Sequence, residues 1–105
     1  MHTGVLHQPR IAWDAATMLV TAANADAELF GWFEAALAAV LGPSGRAQLA
    51  VTRDRLLRAE RADVRSVEAG MWRVRLEEAL RTRPDTAEAL RELTLAARVR
   101  LAHLN

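Results

Sequence analysis

Histidine is the one residue type in this chain that titrates near neutrality and also ligates metals, and its placement suits neither task. His2 and His7 stand at the start and His103 near the end, and no His-x-x-x-His or Glu-x-x-His pair sets two ligands on one helix face. Cysteine is absent, which removes thiolate zinc sites, thiol nucleophiles and disulfides together. No serine sits in a Gly-x-Ser-x-Gly elbow. Gly42-Pro-Ser-Gly45 has the glycines of a phosphate-cradling loop without its lysine or spacing, and reads as a turn. Glu77 and Glu78 are neighbours about 100° apart on a helix, so they cannot face each other across a substrate. Glu77 is instead placed to pair with Arg81 one turn on. The expectation is a non-enzymatic chain with no catalytic residue, no metal site and no cofactor.

What remains is chemistry for binding. Arg58, Arg61 and Arg65 recur at i, i+3 and i+7, and form a basic face on which Asp54 offers Arg58 a counter-charge. Such a face is either solvated or meets an acidic partner or a nucleic-acid backbone. A helical nucleic-acid-binding regulator is the second reading, but nine acids interleave with thirteen arginines after Gly45 and would repel phosphate, so nucleic acid is an unfavoured partner. The first 45 residues hold one arginine against four acids, and the whole chain carries +1. All 14 basic residues are arginine and tyrosine is absent. The pI of 9.0 therefore reflects a titration plateau rather than strong basicity.

The other binding chemistry is aromatic. Phe30 and Phe33 share an apolar stripe, whereas Trp32 lies about 120° from its centre, on a face with Ala35, Ala36 and Ala39. Either a second layer covers that face, or small residues around a tryptophan let a partner helix approach. A second candidate is the arc Trp72, Leu76, Ala79, Leu80, because the same segment carries another arc, Val64, Val67, Met71, Val74. A helix apolar on two sides must bury against two surfaces, and this predicts a central position or a kink at Gly70. The partner-binding set is thus Trp32, Ala35, Ala39, Trp72, Leu76, Arg58, Arg61 and Arg65, with another protein or a second copy as the partner.

These residues need helices to position them. Ala, Leu, Arg and Glu, all good helix formers, fill 59 of 105 positions. The expected fold is an all-α compact bundle of four to five helices. An irregular arm over 1–10 leads to a single domain over 11–105, whose first helix runs over 11–23. A break at Asn24–Asp26 precedes the clearest amphipathic helix, with stripe Leu29, Phe30, Phe33, Leu37, Val40, Leu41. Gly42-Pro43 stops it. A less patterned helix over 46–62 follows, then one over 64–82 capped by Asp63. After Arg83-Pro84-Asp85 comes the last, over 86–103, with a capping box from Asp85 and Glu88 and stripe Leu90, Leu93, Ala97, Leu101, Leu104. The start lacks a basic region followed by an apolar run, and no stretch is long and apolar enough to span a bilayer, which together suggest the cytoplasm.

The run Leu76-Glu-Glu-Ala-Leu80, Arg83-Pro-Asp85, Ala87-Glu-Ala-Leu-Arg-Glu-Leu93 resembles the helical hairpins of small, Ala/Leu/Arg/Glu-rich proteins of high-GC actinobacteria. Some of these look like effector-associated adaptor modules of bacterial conflict systems. The likeness covers about residues 63–104 and is one of composition and a shared break. It implies a non-enzymatic module that couples an effector to a sensor, and it transfers no functional residue.

Overall fold

The computed structural model describes residues 3–103, with side chains over 8–103. Four helices follow one another, α1 Thr3–Ala23, α2 Ala27–Leu57, α3 Val64–Thr82 and α4 Thr86–His103, with no strand among the described residues. The fold is an all-α compact bundle. Its radius of gyration is 13.2 Å, close to the ~13 Å expected of a compact chain of about 100 residues.

The centre is α1, not the double-faced α3. Ala12, Ala15, Ala16, Leu19, Val20, Ala22 and Ala23 are all buried on α1, and its most extensive contacts are with α3 and then α4. The physical reason is side-chain size: five of these seven positions are alanine, which lets two neighbours approach one axis closely. α1 also starts earlier than expected. The segment 3–10 is helical rather than an irregular arm, with Pro9 inside the helix. Proline costs the helix one N–H donor while its fixed φ suits the helical backbone. Gln8 Nε2 donates to the Leu80 carbonyl at 3.4 Å, which ties this turn to α3. Met1 and His2 lie outside the described residues.

The break after α1 falls where Asn24–Asp26 placed it. Asp26 has extended φ/ψ and its carboxylate accepts from Leu29 N–H at 2.8 Å, satisfying one of the unpaired donors of the α2 first turn. The span α2 consists of two helical halves that meet at Gly42, whose φ of 82° and ψ of −175° are not helical. That backbone region is open essentially to glycine alone. A Cβ on Gly45 would lie 2.5 Å from the Leu41 Cβ, so the turn needs a glycine there as well. The two halves run back along each other: Arg46 pairs with Glu34 at 3.6 Å, and the Arg53 guanidinium lies 4.4 Å from the centre of the Phe30 ring. Arg53 Nη1 also donates to the carbonyls of Ala23 (3.1 Å) and Ala25 (2.9 Å). It places a cation on the end of α1 where carbonyls lack helical partners.

Three local expectations are corrected. The helix expected over 46–62 ends at Leu57, because every residue from 57 to 63 is exposed and nothing rewards continuation. Asp63 makes no side-chain cap; its carboxylate takes the Arg61 Nη2 at 2.8 Å instead. At the start of α4, the Thr86 N–H and hydroxyl both donate to the Arg83 carbonyl, and Ala87 N–H donates to that of Pro84. This turn organises the helix start in place of an Asp85–Glu88 box. Leu90, Leu93 and Ala97 are buried and Leu101 half-buried as expected, while Leu104 lies outside the described residues.

The two glycines of α2 predict effects of opposite sign. Gly42→Ala should destabilise by about 1–3 kcal/mol, the cost of a non-glycine residue in this region. At Gly31, exposed and helical with open space at its Cβ position, alanine should stabilise by about 0.5–1 kcal/mol. Urea unfolding followed by circular dichroism measures both.

Candidate functional site

Where the second half of α2 meets α3, a polar chain crosses the core. Leu49, Thr52 and Leu56 share the buried face of α2, so Thr52 is a hydroxyl in a hydrophobic stripe. On α3, Glu68 and Trp72 are one turn apart and both buried. Trp72 Nε1 donates to Thr52 Oγ1 at 2.7 Å, and that hydroxyl donates to Glu68 Oε1 at 3.2 Å. The other Glu68 oxygen accepts from Arg55 Nη1 at 3.3 Å. Trp72 Nε1, Thr52 Oγ1 and both Glu68 oxygens all have partners, and a carboxylate that is only 6% exposed is matched by a cation whose own side chain is half in water.

The chain opens into a groove of about 420 Å³ lined by Asp54, Arg55, Arg58, Arg61, Asp63, Val64, Val67 and Glu68. The basic face therefore exists, but its charges are largely matched. Arg58 Nε donates to Asp54 Oδ1 at 3.0 Å, as its spacing predicted, and Arg61 is held by Asp63. Arg65 points the other way, donating to Thr21 Oγ1 at 3.2 Å. Arg58 and Arg61 thus share one groove, while Arg65 bridges α3 to α1.

Trp72 and Leu76 are not a partner surface. They are 3% and 0% exposed, and with Leu80 they form the buried side of α3. Of the two apolar arcs, packing buries this one, because it holds the largest side chain and the indole N–H finds Thr52. The other arc faces solvent: Val67 is 52% exposed, Met71 44% and Val74 58%, with Val64 half-buried at its head. Val64 and Val67 also line the groove, so the apolar stripe and the polar groove form one continuous surface. α3 is neither central nor kinked at Gly70; one side of it is left uncovered.

Trp32 is half-buried. Its ring meets Phe33 edge-on at 6.2 Å and lies under the Arg100 guanidinium of α4, 4.1 Å from the ring centre, so much of its face is used within the chain. Ala35 and Ala39 beside it are exposed. Trp32 also lines a cavity of about 360 Å³ with Asp26, Glu28, Leu29, Val99, Arg100 and His103. Glu77 pairs backward with Arg73 at 3.4 Å, and Arg81 takes Glu78, rather than Glu77 with Arg81. His103 Nδ1 lies 2.8 Å from the Val99 carbonyl. Among the described residues no three His, Cys, Asp or Glu side chains gather as metal ligands. His2 lies outside the described residues, as does the side chain of His7.

Sequence reasoning missed Thr52, Glu68, Arg53 and Arg55. For Thr52 the signal was present: it falls between Leu49 and Leu56 at helical spacing, a polar residue in phase with a buried stripe. No known protein family, curated protein or solved structure matches this chain. No helix among the described residues is long and apolar enough to cross a membrane.

Thr52→Val keeps the shape and removes the hydroxyl, leaving the buried indole N–H without an acceptor. The variant should lose about 1–3 kcal/mol, whereas Thr52→Ser, which keeps the hydroxyl, should lose about 1 kcal/mol. Denaturant midpoints read by tryptophan fluorescence separate the two; equal losses would mean that the methyl and not the hydroxyl matters.

Proposed function

We propose that this chain is a helical protein-interaction module, an adaptor without catalysis of its own, which docks through the outer face of α3. The observation that carries the reading is the line Val67, Met71, Val74, three large apolar side chains each at least 44% exposed on one helix face. Single exposed apolar residues are ordinary on a protein surface, but a continuous stripe bordered by charged residues is the mark of a contact surface. The resemblance to adaptor hairpins supports the same class. The cysteine-free composition suits a reducing compartment such as the cytoplasm. The regulator reading loses support from the pairing of Arg58 with Asp54 and of Arg61 with Asp63, which leaves less free charge for phosphate.

Photo-crosslinking tests the reading. A photoreactive residue replacing Met71 or Val74 in the native host should give protein adducts several-fold above the same residue at Ala47, an exposed position on α2. Equal yields at all three positions would overturn it. Salt-steep binding of random DNA, lost in Arg58→Ala/Arg61→Ala/Arg65→Ala, would favour the regulator instead.

A further inference from the structure

The outer stripe on α3 is spaced like a helix-packing face but, beyond Val64, packs against nothing inside the molecule. Val64, Val67, Met71 and Val74 are separated by three, four and three residues, the alternation along which two helices interlock as a seam. In the folded chain Val67, Met71 and Val74 carry no covering layer. Gly70 lies at the middle of the stripe's edge, and a Cβ there would meet nothing within 4 Å, so the approach to this face is open.

The charges around the stripe say what covers it. Asp54, Arg55, Arg58, Arg61 and Asp63 at its N-terminal end, and Arg73, Glu77, Glu78 and Arg81 at its C-terminal end, are all engaged in ion pairs within the chain. Arg65 has no ion pair either but is turned to Thr21 on α1. The two exposed charges left beside the stripe without an ion-pair partner among the described residues are Glu60, in the connection that leads into α3, and Arg75, directly after Val74, whose guanidinium lies 5.3 Å from the centre of the Trp72 ring. They have opposite signs and stand at opposite ends.

We propose that the occupant is a second copy of this chain, the two α3 helices packed antiparallel about a two-fold axis level with Ala69. That register sets Val64 of one copy against Val74 of the other and Val67 against Met71, so all eight apolar side chains interlock. It brings the connection that carries Glu60, just before α3 of each copy, to the Arg75 end of the other. A parallel pair would set Glu60 beside Glu60 and Arg75 beside Arg75, like charge against like. The seam is short of the ~800 Å² per partner of a standard interface, so the dimer is a weak one, with a micromolar dissociation constant. This inference rests on the reading of the α3 face as a protein-docking surface.

The test is sedimentation equilibrium of the full chain over a dilution series up to about 500 µM, the range that a weak interface of this size requires. Wild type should dimerise, and Val67→Glu/Met71→Glu should be monomeric throughout while keeping its helical circular dichroism. Glu60→Arg and Arg75→Glu should each weaken the dimer about tenfold, and the double variant Glu60→Arg/Arg75→Glu should return to within about threefold of wild type, since the pair is restored with its signs exchanged. A monomeric wild type, a dimer indifferent to Val67→Glu/Met71→Glu, or a double variant no tighter than the singles would overturn the proposal. If Met71 crosslinks to a different protein while wild type stays monomeric, self-pairing fails and the docking reading stands; if neither occurs, both fail.

Discussion

A buried indole N–H needs an acceptor, and the rest of this structure is arranged around giving one to Trp72. The acceptor is Thr52, whose hydroxyl donates in turn to Glu68, which draws Arg55 to the edge of the core. Leaving such a donor unpaired costs about 1–3 kcal/mol, a sizeable part of the 5–15 kcal/mol by which a domain of this size is stable. Of the two apolar arcs of α3, the one with Trp72, Leu76 and Leu80 holds the largest side chain, and the polar chain reinforces its burial, because rotating α3 to bury Val67, Met71 and Val74 would strand the indole N–H and swing Glu68 away from Thr52.

For Thr52 to be there, the chain before it must reverse direction. Gly42 supplies a backbone conformation closed to other residues, and Gly45 lets Leu41 pass at close range. Arg53, one residue on from Thr52, then seals the end of α1 while lying on Phe30, so the same turn of α2 holds both neighbours in place. α1 fills the middle with alanines, which bring α3 and α4 close enough to complete the core. The surface that results has one face of α3 uncovered. The interaction function proposed above follows from that rotation.

Much of this was legible in the sequence, and the losses have physical causes. The breaks at Asn24–Asp26, Gly42-Pro43 and Pro84 were readable because caps, glycine φ and proline act locally. The two arcs of α3 were visible as well, but periodicity reports only that a face is apolar, not which face a neighbour takes. That choice rests on a contact between Thr52 and Trp72, 20 residues apart in sequence. The same limit explains the expected surface: on α3 the exposed apolar residues are Val67, Met71 and Val74 rather than Trp72 and Leu76. The arginine face was located correctly in part, yet its neutralisation by Asp63 and the turn of Arg65 toward Thr21 depend on the packing of α3. The start of α1 is not legible locally, because Pro9 signals a helix boundary while the helix runs through it, with Gln8 tied to α3.

The central claim is that the polar chain turns the Val67, Met71, Val74 arc outward, and the absence of cysteine makes this directly measurable. Single cysteines placed at Val67, Met71, Val74 and Leu76 report exposure through the rate at which each reacts with a soluble disulfide reagent, in dilute protein where copies do not pair. The account predicts that the thiols at 67, 71 and 74 react at rates close to that of a free thiol and that the one at 76 is protected by orders of magnitude. A reactive thiol at 76, or protected thiols at 67, 71 and 74 in the dilute monomer, would contradict it.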